Sequence, residues 1–266
     1  VGADENFTAD AAADWSVAQR QFRRRPSAYL MEPSPASDKF LGFMVSACGL
    51  TRDDRVLDVA CGTGSTALAF AERCAGVVGI DVVADPLRRA QREAESRKLD
   101  NVEFAQSEIE RIAFADGAFS GAICRFSFHH FVNPQTVFAE MVRVVAPGGW
   151  MMIADMTAPD DPEQATLHNQ MERLCDPTHA RALPVAEFEE MFGAHGFRVA
   201  MKIARDSRLA VDDWLRFGGT STENAAQLRT MVAAALQSGK PSRFIRDGDN
   251  VRVVHTSVSF VIESTA

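Results

Sequence analysis

The chain has 266 residues, 46% of them hydrophobic, enough to bury the core of one large domain, and no apolar run approaches the about eighteen residues of a membrane span. A formal net charge of −8 argues against a nucleic-acid or acidic-membrane partner, since a phosphate surface calls for clustered positive charge. Five scattered cysteines, never in a CxxC pair, argue against a disulfide framework and a zinc site; they fit a reducing, cytoplasmic setting, and no metal is expected.

Residues 1–50 read as helical, are interrupted by Pro26, Pro33 and Pro35, and precede the first strand, so they are free to act as a lid. Short apolar runs then alternate with helical periods. Strands are expected at 55–60, 76–81, 102–106, 121–126 and 150–155; helices at 66–74 and 85–98, and around Val137, Met141, Val144 and Val145. Such alternation implies right-handed crossovers and a parallel sheet covered on both faces. Further on, a helix holding Phe188, Met191 and Phe192 leads into a strand at 197–204, and 211–238 reads as two helices. The closing segment 251–263 alternates like a strand that pairs antiparallel. The expectation is an α/β fold, a mixed sheet of seven strands with helices on both faces, whose last two strands enclose a helical insertion at about 211–240.

The stretch LDVACGTGSTALAF, residues 57–70, carries strand one through a glycine turn into a helix. Gly62, Gly64 and Ala67 satisfy the GxGxxG/A pattern of a nicotinamide-dinucleotide site, yet Asp58 stands where a pyrophosphate would approach. A helix N-terminus suits a carboxylate as well as a phosphate, and the Asp58 carboxylate accepts from an ammonium group. Asp81, ending strand two in VVGID, is placed to take both hydroxyls of a ribose. A ligand with a ribose and an amino-acid part satisfies both ends. Asp81 as a mere helix cap and Cys61 as a packed small residue stand as the plainer alternatives.

VLDVACGTG, GID, SEIERIAF, CRFSFHHF and RVVAPGG resemble the successive motifs of class I S-adenosylmethionine-dependent methyltransferases, within the branch that includes the ubiquinone and menaquinone biosynthesis enzymes and related small-molecule methyltransferases. The likeness is good over about residues 50–155 and implies a Rossmann-like sheet. It also implies that Asp58, Ala60, Cys61, Gly62 and Gly64 cradle the methionine part of the cofactor, and that Asp81 holds the ribose with Val82 against the adenine. Ser107, Glu108 and Ile109 stand where the branch usually reads Gly-Asp-Ala, and Glu108 keeps the acid one methylene longer. Arg125, Phe126 and Ser127 are implied beside the methionine and the methyl.

Methyl transfer needs a base only when the nucleophile starts protonated. His130 is the first candidate, with His129 second and Tyr29 of the lid third. His179 and Arg181 in CDPTHARAL, and Asp155 after strand five, are candidates for substrate contact. The expected activity is methylation of O, C or N on an apolar, aromatic or natural-product-like small molecule from secondary metabolism, with S-adenosylhomocysteine as product. A cyclase or rearrangement enzyme, or a regulator, that binds the cofactor without transfer is the alternative; the oligomeric state is open, a homodimer included.

Overall fold

The computed structural model describes residues 35–239 and 242–265. Tyr29 and most of the expected lid lie outside them. The end of that segment is a helix, α1 (Pro35–Ala47), whose Met44 and Val45 are buried in the same cluster as Phe70.

Five parallel strands form the centre: β1 (Arg55–Val59), β2 (Gly76–Asp81), β3 (Val102–Gln106), β4 (Phe119–Arg125) and β5 (Val145–Met156). Between them run α2 (Ser65–Ala71), α3 (Ala84–Ser96) and α4 (Pro134–Val144). After β5 come α5 (Pro162–Cys175), α6 (Val185–Ala194), β6 (Phe197–Ala210), α7 (Val211–Gly218), α8 (Thr222–Gln237), β7 (Phe244–Asp247) and β8 (Asn250–Ser264). The strand order is β3-β2-β1-β4-β5-β8-β6, with β7 attached to β8. This is the Rossmann-like mixed sheet. The order reverses between β1 and β4, which opens a crevice at their carboxyl ends, where open α/β sheets bind ligands.

Strands buried on both faces need apolar side chains facing both ways, and β1 supplies them: Val56 enters one core cluster with Phe70, Ile123 and Met152, while Leu57 and Val59 enter the other with Phe138, Phe192 and Phe260. Each fully buried large side chain contributes about 1.5–3 kcal/mol.

Four features differ from the sequence reading. First, β5 starts at Val145, not at 150: Val145 pairs with Phe119, and a bulge then absorbs the Pro147-Gly148-Gly149 segment before Trp150 pairs with Gly121. Gly121 has no side chain because the Trp150 ring lies there; a Cβ would fall 2.3 Å from it. Second, the sequence reading assigns no element to the stretch that forms α5. Third, β6 runs to Ala210. Fourth, the insertion holds a strand, β7, as well as the two expected helices.

The last two differences share a cause. β8 pairs with β5 only as far as Ser257 opposite Met156, but with β6 as far as Arg252 opposite Ala210. Where β5 has ended, β7 takes its place beside β8, with Phe244 opposite Val253. The overhang carries its own small core of Met171, Cys175, Trp214, Leu228, Phe244 and Val253, so α5, α7, α8 and β7 cap the carboxyl end of the sheet.

Candidate active site

The turn after β1 is built by backbone that needs glycine. Gly62 has φ 53° and Gly64 φ 77°, and Ala60 adopts φ 55°, a left-handed conformation that costs a non-glycine residue of order 1 kcal/mol or more. Gly64 has a second constraint: a Cβ there would lie 2.7 Å from Ala90 and from the Phe104 ring. The turn is therefore pressed against β3 and α3.

Asp58 lies beneath this turn and is 1% exposed. Its Oδ2 has no hydrogen-bond partner. Burial pushes its pKa up to about 7, against the pull of the Arg125 guanidinium and the Ala67 amide, and the Asp81 carboxylate adds to the rise. Asp81 accepts from the Gly62 amide at 2.8 Å and the Val83 amide at 2.9 Å, one bond to each oxygen. It therefore braces the glycine turn and the entry to α3 together. Each oxygen retains a lone pair for a further donor. Burial also raises its pKa, partly offset by those amides.

Arg125 donates from Nε to Thr66 Oγ1 at 2.8 Å and from Nη2 to Ser65 Oγ at 2.9 Å, fixing the end of β4 to the start of α2. Phe126 is left-handed (φ 53°) and its side chain is exposed at the crevice. Ser127 is buried and donates to the Ala60 carbonyl at 3.3 Å, tying the residue after strained Phe126 to strained Ala60 across the switch point. Val82 is half-buried. Ser107 caps its own loop through the Glu108 carbonyl, Glu108 is exposed, and Ile109 is buried in the core. Gln106, Ser107 and Glu108 line a cleft of about 450 Å³ with Arg111 and Ala113. Cys61 is a protonated thiol: burial pushes its pKa well above the usual range.

At the far side of the crevice the histidines separate by partner. His129 Nδ1 lies 2.5 Å from Asp155 Oδ1, and its amide donates to Asp155 Oδ2 at 3.2 Å. Burial alone would lower the His129 pKa, but Asp155 overrides it and the net shift is upward. Because Asp155 accepts from Nδ1, the neutral ring carries its lone pair on Nε2, which no described residue engages and which is not among the buried unpartnered atoms. His130 differs. Its Nδ1 meets the Thr178 carbonyl at 3.1 Å, and burial followed by the neighbouring His129 pushes its pKa down to about 4. Their ring centroids are 4.0 Å apart.

The segment 175–183 docks onto this pair. The amides of Ala180 and Arg181 donate to the His129 carbonyl at 2.8 and 3.1 Å. His179 is buried behind it, bonded through Nε2 to Asn169 Oδ1 at 2.8 Å, and burial pushes its pKa down to about 2. It supports the wall. Arg181 is not brought to the site: its guanidinium forms a two-pronged pair with Glu187 at 2.8 and 2.6 Å on the surface, a strong local partner that holds it away. The sequence reading missed Asn169 and the polar side chains beside it, His168 and Glu172. These are spaced to share one face of α5 with Met171 and Cys175, a polar-on-apolar pattern visible only once a helix is assigned there.

Comparison with known proteins identifies the family. A methyltransferase domain family matches residues 50–213. The uncharacterized methyltransferase YcgJ of Bacillus subtilis is 30% identical over 211 residues, 79% of this chain and 83% of YcgJ. A demethylmenaquinone methyltransferase of Thermus thermophilus is 38% identical over 107 residues, 40% of this chain and 48% of that enzyme. Among solved structures, the Bacillus halodurans protein BH2331 superposes with a TM-score of 0.78 at 26% identity, covering 85% of this chain and 98% of that one. The chain belongs to the methyltransferase domain family. No described helix is long and apolar enough to cross a membrane.

Proposed function

We propose that the chain is an S-adenosylmethionine-dependent methyltransferase acting on O, C or N of an apolar, aromatic small molecule. The observation that carries this reading is the orphaned Asp58 Oδ2, buried under the glycine turn at the switch point. A buried acceptor without a donor calls for one, and a cation serves it best. With Asp81 facing the same turn, the site favours a ligand bearing an ammonium and a sulfonium, and disfavours a pyrophosphate.

Asp58 and the turn at 60–64 would hold the methionine part, Asp81 the ribose with Val82 against the adenine, and Ser107, Glu108 and Ile109 the adenine edge. When bound, the cofactor supplies a methyl on a sulfonium that carries its own leaving group. The chain's own residues then orient the acceptor and, where it starts protonated, take its proton. His129 is the better base of the pair. Its Nε2 lone pair is unengaged, and Asp155 fixes the tautomer and stabilises the imidazolium that forms. His130, held neutral, lines the wall.

A second reading keeps cofactor binding without transfer, because the [4+2]-cyclase SpnF shares the fold at a TM-score of 0.60 and 19% identity. Release of S-adenosylhomocysteine on turnover separates the two.

The test of the cradle is thermal denaturation with and without ligand. S-adenosylmethionine and S-adenosylhomocysteine raise the wild-type melting temperature, NAD does not, and Asp58→Asn abolishes the rise while folding normally. No shift with either adenosyl ligand contradicts the reading.

A further inference from the structure

Beside the histidine pair, the cap encloses a second polar group that the chemistry above leaves unused. Arg243 Nη1 donates to Glu172 Oε1 at 2.5 Å and approaches His168 Nδ1 at 3.1 Å. Glu172 also accepts from Trp214 Nε1 at 3.2 Å and lies 2.9 Å from His255 Nε2. The guanidinium carbon sits 4.9 Å from the Trp214 ring centre and 5.3 Å from that of Phe244. Two aromatic rings and one ionic edge are thus accounted for. The other edge is not: Arg243 Nε and Nη2 are buried and have no partner, and neither has His168 Nε2 on a ring 5% exposed.

The chemistry of the three orphans is uniform. Nε and Nη2 form the side-on fork of a guanidinium, which presents two parallel N–H bonds. An arginine only donates, so His168 Nδ1 must be the acceptor in their contact and Nε2 carries the hydrogen. Burial and Arg243 hold His168 neutral, its pKa pushed down to about 3. All three unmet atoms are donors. Leaving such donors unmet is costly, so an apolar core would have been the more stable filling.

Charge selects among acceptors. Burial would favour protonated Glu172, but Arg243 and then His255 hold it ionised, so the Arg243 charge is already balanced. A carboxylate added here would bury a net negative charge; a carbonyl oxygen offers two lone pairs and adds none.

We propose that the Arg243 fork, with its guanidinium positioned by Glu172 and by the accepting His168 Nδ1, forms a subsite for a neutral carbonyl oxygen of the methyl acceptor. This rests on the reading of the site as a small-molecule methyltransferase. α5 ties the subsite to the reaction centre: Asn169, next to His168, holds His179, whose ring centre is 5.6 Å from that of His129. The preferred acceptor therefore carries a carbonyl remote from the methylated atom.

The test uses the full chain with S-adenosylhomocysteine bound and arginine labelled with ¹⁵N, following the Nε–Hε resonance of Arg243, assigned by its loss in Arg243→Lys. Three probes share one ring: acetophenone, benzoate and toluene. Acetophenone moves the resonance and quenches Trp214 fluorescence, while toluene and benzoate leave the resonance in place. Acetophenone binding weakens about tenfold in Arg243→Met and measurably in His168→Phe, about the loss of a hydrogen bond to a charged group. A resonance that acetophenone leaves unmoved, or that benzoate alone moves, overturns the subsite. So does a fork shown by magnetisation transfer to hold only an internal water that acetophenone leaves in place. Failure of S-adenosylhomocysteine to bind overturns instead the underlying reading.

Discussion

Asp58 and Asp155 are both 1% exposed, and their partners give them opposite tasks. Asp58 keeps an oxygen unpartnered and is set to receive a cation. Asp155 is spent on the His129 ring and on amides, including that of Met156 at 2.6 Å, and so tunes a base. Two predictions belong to these residues. For an acceptor that starts protonated, turnover rises with pH through the elevated His129 pKa, because only the neutral ring accepts a proton. In Asp155→Asn that limb moves to lower pH and the plateau falls by about 10²-fold or more. His130→Ala lowers turnover less than His129→Ala does; the reverse order, measured with cofactor affinity checked in parallel, would return the base to His130. The sequence placed both histidines after strand four. It put His130 first; the reversed order proposed here depends on Asp155 and Thr178, which come from other parts of the chain.

At the scale of elements, the glycine turn shows what a one-dimensional pattern can and cannot carry. Its residues were legible because strand, turn and helix each have a local signature. That Gly64 is also pressed between Ala90 and Phe104 was not, since those residues arrive from α3 and β3. Gly64→Ala therefore combines a strained φ with overpacking and costs about 2–4 kcal/mol in urea denaturation. Adding Phe104→Ala relieves the clash with the ring and leaves the Ala90 contact and the backbone part, so the pair is less destabilised than the two changes summed. A simple sum would mean that the ring yields freely. The parallel central strands and the late antiparallel strand were equally legible; the strand order was not. α5 was missed because its buried face carries His168, Asn169 and Glu172, which read as loop polarity rather than core. The same polarity hid the Arg243 cluster, whose members lie as far apart as residues 168 and 255.

For the whole molecule, buried histidines set the response to acid. Burial pushes the pKa values of His130, His168 and His179 down to about 4, 3 and 2, whereas in the unfolded chain each returns to about 6.5. Below that value the unfolded chain binds more protons, so their contribution is present above about pH 6.5 and is lost as pH falls. Asp58, pushed up to about 7, acts in the opposite sense: the native state holds a proton that the unfolded chain releases above about pH 4. Asp81 and, more weakly, His129 are raised as well and oppose the three histidines too, so stability falls by about 1–2 kcal/mol per pH unit on going from about pH 6 to pH 5. Denaturation at each pH checks the slope, and a flat profile over that range would contradict it.

The central claim is that a buried acidic cradle, and no anion site, holds the cofactor under the glycine turn. Calorimetric titration of S-adenosylmethionine into wild type and Asp58→Asn, from about pH 5.5 to pH 7.5, tests it most directly. As Asp58 ionises through about 7, the wild-type affinity tightens about tenfold with a proton released, while the variant binds weakly and without that slope. An affinity that is equal in the two proteins and flat with pH would contradict the account.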